Sequence, residues 1–252
     1  MATLMNGGAL GDDLSDVEAT QDALFGGGVV LFQPPRGRGY RTNVDALLLA
    51  GFATARKVAE VAFDLGAGVG AVGLALLRLG AARRVVFVEI DGVPAAMARR
   101  NLDANGWTDR GEVLRGDVRD VARARRGEAA LVVCNPPYVL PGCGRVAATQ
   151  ARARSGEVGI FVEAARQIAG RRARVCFVYP AHELTLLLAT LAAEGLHAKR
   201  LRFVHGTPDT PARVALVEAQ AGRPGGLRVL SALVERGPRG YSPEMEALLA
   251  RG

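Results

Sequence analysis

The stretch that most constrains the fold is FDLGAGVGAVGLALLRLG, residues 63–80. An apolar run ends at Asp64, the loop that follows carries Gly66, Gly68 and Gly70, and Ala71–Leu79 continues as an apolar helical segment. A strand that leaves through glycines and re-enters as a helix opens a nucleotide pocket. Glycine lets the backbone approach a ligand closely, and a helix N-terminus favours negative charge. Gly68, Gly70 and Gly73 also satisfy the GxGxxG pattern of NAD-binding proteins, so this loop alone leaves the nucleotide open.

The rest of the chain fits that opening. Val58–Leu65, Val85–Ile90, Glu112–Leu114, Ala130–Cys134 and Arg174–Tyr179 read as strands, and Ala71–Leu79, Pro94–Ala104, Val158–Ala169 and Glu183–Ala193 as helices. Such alternation predicts an α/β fold whose mostly parallel sheet is covered on both faces. Lys199–Val204 and Arg213–Ala219 are joined by GTPDTPA, too short for a crossover helix, so they are expected to pair antiparallel. A further helix is expected from near Thr42 or Asn43, with Val44–Phe52 apolar on most faces. GRPGG (222–226) and RGPRG (236–240) read as turns before a short terminal helix, and Trp107 as packing at a helix end.

Three carboxylates stand where strands end. Glu89 closes VVFVEID and could accept from two ribose hydroxyls. Asp117 in RGDV could accept from an exocyclic amine of adenine or simply cap the next helix, and Asp64 could meet a cofactor amino group or only brace the glycine loop. After LVVC comes Asn135-Pro136-Pro137-Tyr138, a rigid exit from a buried strand. It suits one difficult reaction, methylation of an adenine N6 amine, which is conjugated and poorly nucleophilic. The Asn135 side-chain oxygen and the Pro136 carbonyl would hold the two N–H bonds, and Tyr138 offers a face for a planar base.

Together DLGAGVG, Glu89, Asp117 and NPPY resemble the class I S-adenosylmethionine-dependent methyltransferases. Within them the chain is most similar to the tRNA (adenine-N6)-methyltransferases that act beside the anticodon of valine tRNA. The likeness runs upstream to FGGGVVLFQPPRGRGYRTNVDALLLAGFA (25–53) and downstream to the terminal RGYSPEMEALL. It implies a Rossmann-like fold with a seven-stranded sheet containing one antiparallel strand. It also implies S-adenosyl-L-methionine held by Asp64, Gly66, Ala67, Gly68, Gly70, Glu89, Ile90, Asp117, Val118 and Asn135, with residues 26–56 closing over it through Tyr40 and Asp45. Asp45 reads equally well as part of a capping arrangement with Thr42. The catalytic group is then Asn135, Pro136, Pro137 and Tyr138, within a core of residues 57–220 followed by an extension, 221–252. Residues 26–252 are read as one domain, and the acidic residues 1–25 as a separate, partly disordered segment.

Charge bears on the acceptor. Residues 1–25 hold five acids and no Lys or Arg, so residues 26–252 carry 32 basic against 20 acidic groups, a net charge of +12. That balance suits a polyanion. Arg36, Arg38, Arg145, Arg152 and Arg154 are the expected phosphate contacts, the last three in a long loop, 139–157. The three cysteines and three histidines show no metal-ligand spacing, so no metal is expected. No signal peptide or membrane span is read, and the protein is expected in the cytoplasm. Three other readings compete with RNA adenine methylation. A protein glutamine acceptor of the release-factor type would bring a helical N-terminal domain, a DNA adenine methyltransferase a target-recognition domain, and an NAD-binding protein would leave NPPY without purpose.

Overall fold

The computed structural model describes residues 18–35, 41–54, 57–136 and 148–250, the stretch 148–157 by its backbone alone. The first elements are β1 (Thr20–Leu24), β2 (Val29–Gln33), α1 (Asp45–Ala53), β3 (Ala59–Leu65), α2 (Ala71–Arg78), β4 (Ala82–Glu89), α3 (Gly92–Ala104), β5 (Gly111–Arg115), α4 (Val118–Ala124) and β6 (Ala129–Cys134). They are followed by α5 (Ala148–Ile168), β7 (Ala169–Pro180), α6 (Leu184–Ala193), β8 (Leu196–His205), β9 (Ala212–Ala221), β10 (Arg228–Val229), β11 (Leu233–Val234), β12 (Arg236–Gly237), β13 (Gly240–Tyr241) and α7 (Pro243–Leu249).

Seven long strands follow the order β8-β9-β7-β6-β3-β4-β5, with β9 antiparallel to both neighbours and the rest parallel. The expected sheet is therefore present. Two short strands missing from the sequence reading, β10 and β11, lie parallel along β8 and bring the sheet to nine strands. The register sets Asp64 opposite both Phe87 and Val133, and Leu65 opposite Val88 and Cys134. The C-terminal ends of β3, β4 and β6 thus reach one edge together, where open α/β sheets receive ligands.

Apolar cores cover both faces. Leu48, Leu49, Leu74, Leu76, Phe87 and Met245 fill one, and Phe63, Val132, Ile168, Phe177, Leu187 and Leu191 the other. Helix α1 is buried at every position but Gly51, as its all-round apolarity requires. Trp107 packs against the first core just past α3.

Two boundaries differ from the sequence reading. The β1–β2 hairpin straddles the expected boundary at residue 25, because its acid has partners: Asp22 Oδ2 accepts from Gln33 Nε2 at 2.9 Å and Arg41 Nη2 at 2.7 Å, which hold its carboxyl below the usual range. Helix α5 starts at Ala148, inside the segment expected to be a loop. Residues 148–157 are rich in Ala and Arg, good helix formers, and lack an apolar stripe.

Candidate active site

At the shared edge lies a cavity of about 580 Å³, within the range that encloses ligands of nucleotide size. Its floor is the loop after β3. Gly66, Gly68 and Gly70 all take positive φ (69°, 56° and 88°), which only glycine adopts without strain. Gly66 N and Ala67 N both donate to Val88 O, at 2.9 and 3.0 Å, so the loop is tied to the adjoining strand.

One wall is built by β4 and the turn after it. Glu89 Oε2 accepts from Gly68 N at 2.8 Å and Oε1 from Asp91 N at 2.9 Å, holding the glycine loop and the start of α3 around one carboxylate. Beside it Ile90 is 66% exposed, an apolar face left open on the cavity. Asp117, Val118 and Arg119 complete this side. Asp117 both lines the cavity and caps α4, accepting from Arg119 N at 2.8 Å. The Arg119 guanidinium beside it, with that backbone hydrogen bond, holds its carboxyl down at about 2.

Across the cavity stand Thr42 and Ala46, Ile160 and Phe161 of α5, and Asn135 just past β6. Asn135 Oδ1 is enclosed and has no hydrogen-bond partner, the single such side-chain atom among the described residues. Leaving a buried acceptor unpaired costs about 1–3 kcal/mol, so a structure that keeps one beside a cavity is set to receive a donor.

The structure brings together Gly66, Ala67, Gly68, Glu89, Ile90, Asp117, Val118 and Asn135. It separates others from the cavity surface. Asp64 lies beneath the loop, 1% exposed, with Oδ2 accepting from Gly73 N at 2.9 Å. Burial pushes its carboxyl up to about 7, against the Gly73 hydrogen bond and with the Glu89 charge adding to it. Gly70 turns inward, where an added Cβ would lie 3.2 Å from Phe87. Asp45, fully buried, points to Arg213 Nη2 at 2.6 Å instead of the cavity, and at the start of α1 Asn43 Oδ1, not Thr42, accepts from Asp45 N. Pro136 is buried and is not part of the lining. Arg36, Arg38, Tyr40, Pro137, Tyr138 and Arg145 lie outside the described residues, and Arg152 and Arg154 fall on the backbone-only part of α5.

Sequence reasoning missed Thr42, Phe161 and Asn101. Phe161 crosses Gly66 so closely that a Cβ there would sit 3.0 Å from its ring. Asn101 Oδ1 accepts from Phe32 N at 2.6 Å, while its Nδ2 donates to Phe32 O and to Val69 O, both at 2.9 Å. Asn105, one turn on, pairs both ways with Val30. Two asparagines, Asn101 on α3 and Asn105 at its C-cap, thereby act as a strand partner for β2, and Asn101 joins it to the glycine loop. The amides are visible in the sequence; their partners, 32 to 75 residues away, are not.

Residues 43–154 match the model of the methyltransferase small domain. The tRNA1(Val) (adenine(37)-N6)-methyltransferase of Erwinia tasmaniensis is 31% identical over 209 residues, which cover 80% of this chain and 83% of that one. The protein of the same name from Cronobacter sakazakii is 29% identical, over 82% and 86%. Among solved structures, a predicted O-methyltransferase from Agrobacterium tumefaciens superposes with a TM-score of 0.66 at 24% identity, covering 82% of this chain and 95% of that one. TYW2 of M. jannaschii, solved in complex with AdoMet, gives 0.55 at 14% identity, over 81% and 87%. These superpositions fix the fold as that of the methyltransferases. With nearly a third of its residues shared across most of both chains, the protein belongs to the family of the tRNA1(Val) (adenine(37)-N6)-methyltransferases.

Proposed function

We propose that the protein methylates the exocyclic N6 amine of an adenine in tRNA, with S-adenosyl-L-methionine as donor and adenine 37 of a valine tRNA as the first acceptor to test. The unpartnered Asn135 Oδ1 at the cavity wall carries this reading. It is an acceptor in want of an N–H donor, at the strand end where the family resemblance puts the reacting amine.

The cavity suits the cofactor by its size and its lining residues. Gly66, Ala67 and Gly68 would hold its amino-acid end against the loop, Glu89 its ribose hydroxyls, and Ile90 and Val118 the faces of its adenine, with Asp117 accepting from the ring amine. When bound, it supplies an electrophilic methyl group on a sulfonium sulfur. Asn135 Oδ1 and the Pro136 carbonyl accept the two N–H bonds of the acceptor amine and draw its lone pair out of conjugation. Tyr138 is assigned the stacking face. On accepting the methyl group the amine nitrogen would become acidic, and it would lose one proton through its hydrogen bonds to Asn135 Oδ1 or the Pro136 carbonyl to water, so no strong base is required. Placement at about 3–3.5 Å supplies much of the rate. Arg36, Arg38, Arg145, Arg152 and Arg154 are assigned to RNA phosphates. Among the described residues no helix is long and apolar enough to cross a membrane. A tRNA acceptor is the ground on which the protein is assigned to the cytoplasm.

The test is methyl transfer from labelled S-adenosylmethionine to unmodified bulk tRNA, followed by nucleoside analysis, with Asn135→Ala as control. N6-methyladenosine formed by the wild type alone supports the reading. Cofactor binding without transfer to tRNA would turn attention to release factors and DNA.

A further inference from the structure

The strand β8 ends at His205, on the same sheet edge as Asn135 and three strand positions from β6, or about 14 Å at roughly 4.8 Å per strand. There the chain builds a projection that methyl transfer at Asn135 does not use. With Val234 of β11 opposite His205, the chain runs past the sheet: Glu235 N donates to His205 O at 2.8 Å, and Arg236 N to Gly206 O at 3.0 Å. It then turns through the β12–β13 hairpin and returns to Ser242, whose N–H donates to Glu235 O at 2.9 Å.

A hairpin of two-residue strands does not hold itself in water. This one is clamped at its base. The Glu235 carboxylate pairs with Arg213, whose Nη2 also meets Asp45, the first residue of α1 and the neighbour of cavity-lining Ala46. Ser242 Oγ caps α7 by accepting from Met245 N at 3.2 Å.

The clamped residues bury little of their own surface. Arg236, Pro238, Arg239 and Gly240 are exposed, and Tyr241 is 40% exposed. The Arg236 guanidinium lies 4.4 Å over the Tyr241 ring and donates to its hydroxyl at 3.3 Å. Among the described residues neither Arg236 nor Arg239 forms an ion pair with a carboxylate. The acids flanking the hairpin are already taken, Glu235 by Arg213 and Glu244 by both Arg202 Nη atoms at 2.6 and 2.7 Å. The adjoining turn, 206–211, adds one acid, Asp209.

Two guanidiniums without carboxylate partners, one already stacked on an aromatic ring, are the groups that receive phosphates and unstacked bases of single-stranded RNA. We propose that the β12–β13 hairpin is a second RNA contact, outside the catalytic cavity, that holds the tRNA strand a few nucleotides from the target adenine. The lateral step of about 14 Å from β6 to β8 is a length that a few nucleotides of RNA can span. The assignment rests on tRNA being the acceptor.

An unmodified valine tRNA transcript is titrated against the full chain and against the Arg236→Gln/Arg239→Gln variant at several salt concentrations. Methyl-transfer kinetics and S-adenosylmethionine calorimetry are run on the same preparations. Expected are a roughly tenfold rise in tRNA Kd and KM, kcat within about twofold, unchanged cofactor affinity, and a salt slope less negative by about 1–2. Arg239→Gln alone leaves the Arg236–Tyr241 stack intact and should still make the slope less negative by about 1. A wild type that binds tRNA, beside variants with the same affinity and slope, overturns the hairpin assignment only. A wild type that neither binds nor methylates tRNA overturns the acceptor as well.

Discussion

Asp45 and Arg213, 168 positions apart in the chain, meet with Oδ1 2.6 Å from Nη2. The contact joins the first turn of α1 to β9, and through Glu235 to the chain after β11. Because Thr42 and Ala46 line the cavity on either side of Asp45, this ion pair positions one cavity wall without touching it.

Removing the arginine should therefore act first on stability. Arg213→Ala leaves the fully buried Asp45 without this partner, and breaking a buried pair costs about 3 kcal/mol, which in a chain of this size is roughly 6–12 °C in Tm. Because Arg213 is partly exposed, the lower half of that range is expected. An Asp45→Asn/Arg213→Met double variant should recover part of the loss. A loss in the double variant equal to the sum of the Asp45→Asn and Arg213→Met losses, measured by thermal melting, would show that the pair is not coupled.

Asp64 predicts a pH dependence. Its folded value of about 7 stands above the ordinary 3.8, so the folded chain binds this proton more tightly than the unfolded one. The stability it contributes is fully present below about pH 4 and is lost as pH rises through 7. Asp64→Asn keeps an acceptor for Gly73 N and removes the titration. Its stability relative to wild type should climb between pH 4 and 7 and level off above, by a total on the order of 4 kcal/mol. Denaturant unfolding across that range reads the difference; a flat line would mean that Asp64 stays ionised.

Gly73 is set by packing, not by a ligand. A Cβ there would lie 2.1 Å from Cε1 and 2.6 Å from Cζ of Phe87, a fully buried ring. Gly73→Ala should cost about 1–3 kcal/mol, and pairing it with Phe87→Leu should return some of it. An unchanged melting temperature in the single variant would mean that the ring has room to move.

How much of this could be read in advance depends on how local each interaction is. The glycine loop, the strand ends at Asp64, Glu89 and Asn135, and the antiparallel β9 are written in contiguous residues, through alternation, turn chemistry and a connection too short to cross over. The β1–β2 hairpin was not legible, because the partners of Asp22 lie beyond the turn and the Asn101 and Asn105 ladder comes from α3. Asp45 illustrates the same limit. The family resemblance implies a cofactor contact for Asp45, and only β9, folded back from 168 residues away, brings the arginine that it meets. The early start of α5 is illegible for another reason, since propensity without an apolar stripe leaves no periodic signal.

Glu89 separates a loop brace from a cofactor ligand most sharply. Each of its carboxylate oxygens already accepts a backbone N–H, from Gly68 and from Asp91, yet the residue lines the cavity. Glu89→Gln sets an amide N–H₂ against one of those donors and removes the charge that would hold two ribose hydroxyls. If the carboxylate binds cofactor, S-adenosylmethionine affinity should fall about 10–100-fold, the equivalent of roughly 1.4–2.7 kcal/mol, while the melting temperature of the free protein moves by only a few degrees. If it serves only to brace the loop, the order reverses: the free protein melts markedly lower, and affinity extrapolated to the folded fraction stays near wild type. Calorimetry and thermal melting on one preparation distinguish the two, because each mechanism commits its free energy to a different equilibrium.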